Sequence, residues 1–202
     1  MPIVRRIAAL FVLAAIAVAA VGAEPSSLKA GVFDPPRPAP EFLLRGSDGT
    51  DFKLSRYRGK VVALGFGYTF CPDVCPTTLL ELAQARKKLG ADARDFQVVY
   101  VTVDPERDSA ARLKTYLSAF DDSFLGATGT PEQLANVRKA YGISIAKQSV
   151  QGNPSAYLVH HSSFVYFIDR EGRLRAMLPF GGRTVDDIAH DIRALLKGDR
   201  KP

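Results

Sequence analysis

The only two cysteines of the chain, Cys71 and Cys75, lie in the stretch GFGYTFCPDVCPTTL, residues 65–79. Each is followed by a proline, which fixes a backbone torsion angle and stiffens the loop. The loop falls between a β-prone run and a helical pattern, so we expect it at the amino end of a helix. Partial positive charge and free N–H groups at that end lower the pKa of a thiol, and Cys71 is the better placed of the two.

Three interpretations of the cysteine pair compete. If residues 71–75 are helical, the two side chains share one face with about 5–6 Å between Cβ atoms, which suits two sulfurs on one metal ion. A structural disulfide prefers about 3.5–4.5 Å and would need local distortion, and closing so short a loop contributes little stability. A redox-active dithiol, like a C-x-x-C motif with one residue added, is the third interpretation. We favour the metal site.

The ligand inventory narrows the choice of metal. Thiolates are soft ligands that suit Cu(I), zinc or iron–sulfur clusters. Iron–sulfur clusters are usually bound by four cysteines and structural zinc by four ligands, whereas this chain has two cysteines. The two methionines, Met1 and Met177, are far apart in the sequence and form no thioether cluster. A copper site must therefore rest on the cysteines and a histidine.

The chain has three histidines, His160, His161 and His190. His190 falls on the last predicted helix, and we interpret it as an ordinary surface residue. His160 and His161 are neighbours just ahead of a predicted strand. In extended backbone, neighbouring side chains point to opposite faces. One of the two can therefore face the cysteines, and spacing alone does not choose between them.

Length and composition indicate one globular domain. The chain has 202 residues, of which 47% are hydrophobic and 24% charged, and its formal net charge is +6. No run of five or more lysines and arginines occurs, so the sequence gives no support for nucleic-acid binding.

The pattern of strands and helices predicts an α/β fold with a mixed sheet, helices on both faces and an N-terminal β-hairpin. Two β-prone runs without charge indicate buried central strands. The predicted elements are a hairpin within 41–60, a strand at 61–68, a helix at 74–89, a strand at 96–104, helices at 109–120 and 131–141, a hairpin from 162–169 and 173–180, and a helix at 184–197. The pair Thr130-Pro131 is predicted to start the helix at 131–141, and Thr184 is predicted to cap the last helix.

The N-terminus divides into two further segments. Residues 1–23 hold two arginines, 16 uncharged residues from Ile7 to Gly22 and small residues before Glu24. This layout fits a signal peptide or an uncleaved membrane anchor. Residues 24–40 contain five prolines and are expected to form a Pro-rich linker to a domain spanning 41–198. We expect the domain outside the cytosol, in the periplasm or its equivalent, tethered to the inner membrane through the N-terminus.

Three segments resemble the SCO/SenC family of copper chaperones. FGYTFCPDVCPTTL is similar to the cysteine loop of that family, VTVDPERDSAARLKTY to its acidic turn, and YLVHHSSFVYFIDREGRL to its histidine segment. The resemblance extends from about residue 39 to residue 197. It implies a thioredoxin-like fold.

The resemblance also implies roles for particular residues. Cys71 and Cys75 correspond to the copper thiolates, and His161, which precedes Ser162, corresponds to the imidazole ligand. Many members have a non-histidine residue where this chain has His160. Asp104, in the acidic turn, is expected near the site, either tuning it or satisfying local N–H groups.

The function that the resemblance implies is copper delivery, as Cu(I) and in some steps Cu(II). The acceptor would be the dinuclear copper centre of cytochrome c oxidase, so the expected partners are its copper-centre subunit, other copper carriers or thiol reductants. Such transfer requires no covalent catalysis, so the chain is not expected to be an enzyme in the ordinary sense. Some members instead, or also, reduce cysteines of the target.

Two other functions share the cysteine site. The first is a thiol–disulfide oxidoreductase, the alternative to the copper chaperone, which would keep its activity when His161 is replaced by alanine. A peroxidase form would need a threonine three residues before the reactive cysteine, where this chain has Tyr68; Thr69 is two residues before Cys71. A copper or redox sensor would use the same residues, and only its partner would distinguish it.

Overall fold

The computed structural model describes residues 28–151 and 153–198. Short 3-10 helices at Leu54–Tyr57 and Gly90–Asp95 accompany the main elements. In chain order these are β1 (Gly31–Pro38), β2 (Leu43–Gly46), β3 (Asp51–Lys53), β4 (Val61–Gly67), α1 (Val74–Leu89), β5 (Phe96–Thr102), α2 (Ala110–Ser118), β6 (Leu125–Thr128), α3 (Pro131–Tyr141), β7 (Ile145–Val150), β8 (Asn153–His161), β9 (Phe164–Ile168), β10 (Arg173–Pro179) and α4 (Val185–Gly198).

A mixed sheet forms the centre of the fold, with strand order β1-β10-β9-β4-β5-β6-β2-β3. The strands β4, β5 and β6 are parallel, and the outer pairings are antiparallel. One face packs against α1, α2 and α4, and the other face packs against α3. Every residue of β4 is buried, as its uninterrupted apolar sequence predicts. The mixed α/β sheet and its N-terminal hairpin, β2–β3, are confirmed.

The helix ends follow the capping chemistry of the sequence. Helix α1 has the predicted bounds, Val74–Leu89. Helix α3 begins with a capping box in which the Thr130 and Gln133 side chains each accept a backbone N–H of the other residue. In α4, the Thr184 hydroxyl accepts a hydrogen bond from the Asp187 backbone N–H at 3.2 Å, so the predicted cap is confirmed.

The segment expected to be a linker contains an edge strand. Residues 31–38 form β1, which pairs with β10. Its prolines are tolerated there because an edge strand has one side without ladder partners. Just before β1, the buried carboxylate of Asp191 in α4 accepts the backbone N–H groups of Lys29 and Ala30 at 2.7 and 2.9 Å. The domain therefore starts before residue 41, and Glu24 to Ser27 lie outside the described residues.

A second hairpin, β7–β8, stands apart from the central sheet and was not predicted. Its strand β7, with the sequence IAKQSV, is mostly exposed and has no clear apolar alternation. The short strand β6 was missed as well. The hairpin is important because its second strand ends with His160 and His161.

Within the described residues, none of the helices combines the length and apolar character that a bilayer span requires. The predicted signal peptide or anchor at residues 1–23 lies outside the described residues and stays a prediction.

Candidate metal-binding site

The cysteine loop lies at the carboxyl end of β4 and leads into α1. Helix α1 begins at Val74, so residues 71–73 are not helical and the two cysteines do not have the i, i+4 helical geometry that was considered for them. Asp73 occupies the N-cap position, but its side chain makes no capping hydrogen bond. Cys75 lies in the first turn and is buried, whereas Cys71 is half-buried beside it.

The two thiols have opposite pKa shifts. A hydrogen bond from the Cys75 thiol, the adjacent His161 ring and the backbone N–H groups of Asp73 and Cys75 lower the pKa of Cys71 to about 4, against the effect of burial. The same contact with Cys71, together with burial, raises the pKa of Cys75 far above its ordinary value. At neutral pH the pair therefore holds one thiolate, on Cys71, and one thiol, on Cys75. The backbone N–H groups of the helix amino end contribute to the low pKa of Cys71, but the largest cause is the Cys75 thiol, a contact that was not predicted from the sequence.

His161 faces the cysteines. Its Nε2 lies 3.5 Å from Sγ of Cys75, and its Nδ1 lies 3.0 Å from the carbonyl oxygen of Ser162. Because a carbonyl oxygen only accepts, Nδ1 carries a hydrogen, and Nε2 is the ring nitrogen that faces the sulfurs. The rings of Tyr68 and Phe180 pack edge-on against the imidazole and fix its orientation.

His160 and His190 point elsewhere. The His160 Nε2 contacts Oε1 of Gln148 on the exposed side of the β7–β8 hairpin. This confirms that neighbouring histidines on an extended strand face opposite ways. On α4, the Nδ1 of His190 lies 3.2 Å from Oδ1 of Asp191, and the ring is half exposed.

Cys75 and His161 have the separation of two ligands on one ion. Bond lengths of about 2.3 Å to sulfur and 2.0–2.1 Å to nitrogen, at a near-tetrahedral angle, place the two ligand atoms about 3.5 Å apart. Within residues 28–151 and 153–198, no three His, Cys, Asp or Glu side chains are already arranged to hold a metal ion. Cys71, the half-buried cysteine, is the remaining candidate ligand.

Asp104 anchors the hairpin that carries His161. Its carboxylate is fully buried, pairs with Arg107 and accepts a hydrogen bond from the Tyr157 hydroxyl at 2.8 Å. Arg107 in turn donates to the Tyr157 backbone oxygen at 3.0 Å. Tyr157 lies on β8, four residues before His161. Asp104 is thus connected to His161 through strand β8, and its expected nearness to the copper ligands themselves stays a prediction.

Asp108 was not singled out in the sequence, although it holds the cysteine loop. Its buried carboxylate accepts hydrogen bonds from the Thr69 N–H at 3.0 Å, the Thr69 hydroxyl at 2.6 Å and the Thr102 hydroxyl at 2.7 Å. Arg112 donates to the Thr69 hydroxyl at 2.7 Å. The available signal was a threonine at the carboxyl end of each of two β-prone runs. Thr102 is the last residue of β5, and Thr69 follows two residues after Gly67, the partner of Thr102 in β4.

The fold and the site together define a class: a thioredoxin-like domain whose dithiol, between a central strand and a helix, faces an imidazole from a separate hairpin. Residues 34–197 match the sequence profile of the SCO1/SenC family. The chain belongs to that family.

Solved structures of relatives have the same fold. The Thermus thermophilus apo Sco1 protein is 38% identical, with a TM-score of 0.76 over 84% of this chain and 98% of that one. Bradyrhizobium japonicum ScoI, solved with copper bound, is 33% identical, with a TM-score of 0.72 over 79% of this chain and 99% of that one. The thioredoxin-like fold is confirmed.

Curated relatives are longer than the matched region. An SCO2-like protein of Rickettsia conorii is 33% identical over 66% of this chain and 65% of its own length. The mitochondrial SCO1 homolog 1 of Arabidopsis thaliana is 33% identical over 89% of this chain and 49% of its own length. This chain thus spans less than two thirds of the length of both.

Proposed function

We propose that this protein is an exported copper chaperone that binds one copper ion through Cys71, Cys75 and His161. The observation that carries the proposal is the 3.5 Å separation of Cys75 Sγ from His161 Nε2, with Nδ1 of the ring engaged by a carbonyl oxygen. The copper-bound B. japonicum relative supports the choice of cargo. Two thiolates and one imidazole are a soft ligand set that suits Cu(I), and the imidazole also accommodates Cu(II).

The acceptor that we propose is the dinuclear copper centre of cytochrome c oxidase, in keeping with membership of the SCO1/SenC family. Cys71 is half-buried and is therefore the ligand that a partner can reach first. Transfer would proceed by exchange of Cys71, His161 and then the buried Cys75 for thiolates and imidazoles of the partner. The N-terminal sequence supports a periplasmic or equivalent location with a tether to the membrane.

A second candidate function is reduction of a partner disulfide, favoured by the thiolate character of Cys71. The Cys71 thiolate would attack one partner sulfur, and the other partner sulfur would leave as a thiolate that takes up a proton. Cys75, on losing its proton, would then attack Cys71 Sγ and release the second partner thiolate. The partner gains two electrons, and this protein ends as the Cys71–Cys75 disulfide.

Copper titration of the exported domain separates the two functions. Cu(I) competition and Cu(II) spectra are measured for the wild type and for Cys71→Ser, Cys75→Ser and His161→Ala. His160→Ala is the matched control, since this neighbouring side chain faces away. A chaperone loses copper affinity in the first three variants and keeps it in the control. Full Cu(I) affinity in His161→Ala, with disulfide reductase activity retained, would support the reductase instead.

A further inference from the structure

A buried tyrosine hydroxyl next to the cysteine site makes no hydrogen bond of standard geometry within the described residues. It belongs to Tyr100, in the middle of β5, whose side chain is 2% exposed. An unsatisfied buried hydroxyl is unfavourable, so such groups in native proteins usually have a reason. Phenylalanine would fill the same space without this cost.

The hydroxyl lies beside the sulfur of Cys75. A Cβ atom built onto Gly67 would lie 2.0 Å from Oη of Tyr100 and 2.8 Å from Sγ of Cys75, so the two atoms meet over this one glycine. Both side chains also line a narrow closed cavity beneath α1, together with Thr78 and Phe180. Gly67 is therefore the residue whose missing side chain lets the phenol reach the sulfur.

We propose that Tyr100 is a positioning residue for copper, whose hydroxyl donates a hydrogen bond to the reduced sulfur of Cys75. This inference rests on the proposed function. A neutral thiol is a weak acceptor, whereas a thiolate is a strong one, so the bond becomes strongest when Cys75 serves as a metal ligand. Hydrogen bonds to a ligating sulfur tune its charge donation and the potential of the metal. Tyr100 thus favours Cu(I) over Cu(II) at this site.

The test removes the hydroxyl oxygen atom of Tyr100. In the full exported domain, Tyr100→Phe is expected to lower Cu(I) affinity about tenfold, as for loss of a hydrogen bond to a charged group. It should also move the thiolate-to-Cu(II) absorption band to longer wavelength. Its stability to urea in the metal-free state should stay close to that of the wild type, because the neutral Cys75 thiol is only a weak acceptor for the hydroxyl.

Tyr116→Phe is the matched control. The Tyr116 hydroxyl is also buried without a partner, and its ring centre lies 6.4 Å from that of Tyr100. It should leave copper affinity and spectrum unchanged. Wild-type copper affinity and spectrum in Tyr100→Phe would overturn the inference, and so would equal losses in both variants.

The dithiol–disulfide midpoint potential, measured without metal, distinguishes failure of this inference from failure of the proposed function. If the wild type binds no copper, the chaperone proposal fails, and the dithiol–disulfide midpoint potential then decides the role of Tyr100. A thiol or thiolate sulfur accepts a hydrogen bond better than a disulfide sulfur does. Tyr100→Phe should therefore shift the midpoint to more negative values, and an unchanged midpoint overturns the inference.

Discussion

The sulfur of Cys75 lies 3.5 Å from Nε2 of His161, although the two residues are 86 positions apart in the chain. The first turn of α1 supplies the sulfur, and a hairpin outside the central sheet supplies the nitrogen. Two buried aspartates hold these two elements: Asp108 holds the cysteine loop and Asp104 holds the hairpin. We therefore predict separate effects for substitutions in the cysteine pair, in the Asp108 network and in the Asp104 network.

Cys71 is predicted to remain reactive in mild acid. Its pKa of about 4 means that the thiolate persists as the pH falls from 8 to 5 and is protonated only near pH 4. The rate of alkylation by iodoacetamide, followed by mass spectrometry, should stay nearly constant over that range, with Cys75 unmodified. Cys71→Ser should abolish the reaction. A rate that falls with a midpoint near the ordinary thiol value of about 8.5 would contradict this prediction.

Asp108→Asn is predicted to loosen the cysteine loop. The amide keeps one acceptor oxygen but presents an NH2 group to donors that now face a carboxylate. We expect a loss of about 1–3 kcal/mol in the free energy of unfolding, measured with urea, and weaker Cu(I) binding. Asp122→Asn, on the exposed surface, is the control and should change neither. Unchanged stability and affinity in Asp108→Asn would show that the network does not position the loop.

Tyr157→Phe is predicted to affect copper through the hairpin. The variant removes the hydrogen bonds from this hydroxyl to Asp104 and Glu106. We expect Cu(I) affinity to fall a few-fold, corresponding to about 1 kcal/mol, and β8 amides to exchange faster with solvent. Lys147→Ala removes an exposed ion pair with Glu106 on the same hairpin and should have little effect. Faster amide exchange with unchanged copper affinity would show that the Tyr157 hydroxyl does not help to position His161.

Asp191→Ala is predicted to destabilise the start of the domain. Two backbone N–H groups, of Lys29 and Ala30, would lose their shared acceptor. The free energy of unfolding should fall by about 2–4 kcal/mol in a urea titration. Asp186→Ala, which removes an exposed ion pair with Lys88, should cost at most about 1 kcal/mol. Equal effects of the two substitutions would mean that the hydrogen bonds from Lys29 and Ala30 to Asp191 add no stability to the domain.

The sequence predicted the features that depend on neighbouring residues. The bounds of α1, the buried strand β4 and the caps at Thr130 and Thr184 follow from local periodicity and side-chain chemistry. The position of Cys71 at a helix amino end follows in the same way.

Features that depend on distant pairing were not predicted. The bond between Thr69 and Asp108 joins residues 39 positions apart, and the approach of Tyr100 to Cys75 depends on the register of β4 against β5. Strand β1 was missed because its prolines are typical of a linker, and only its position at the sheet edge accommodates them. Residue spacing alone did not choose between His160 and His161; the family resemblance named His161, whose ring faces Cys75.

X-ray absorption spectroscopy of the Cu(I)-loaded domain tests the central claim most directly, because it counts the ligand atoms around the metal. The account predicts two sulfur scatterers and one nitrogen scatterer in the wild type and in His160→Ala, and loss of the nitrogen in His161→Ala. A copper ion bound by sulfur alone in the wild type, with a spectrum unchanged by His161→Ala, would contradict the claim.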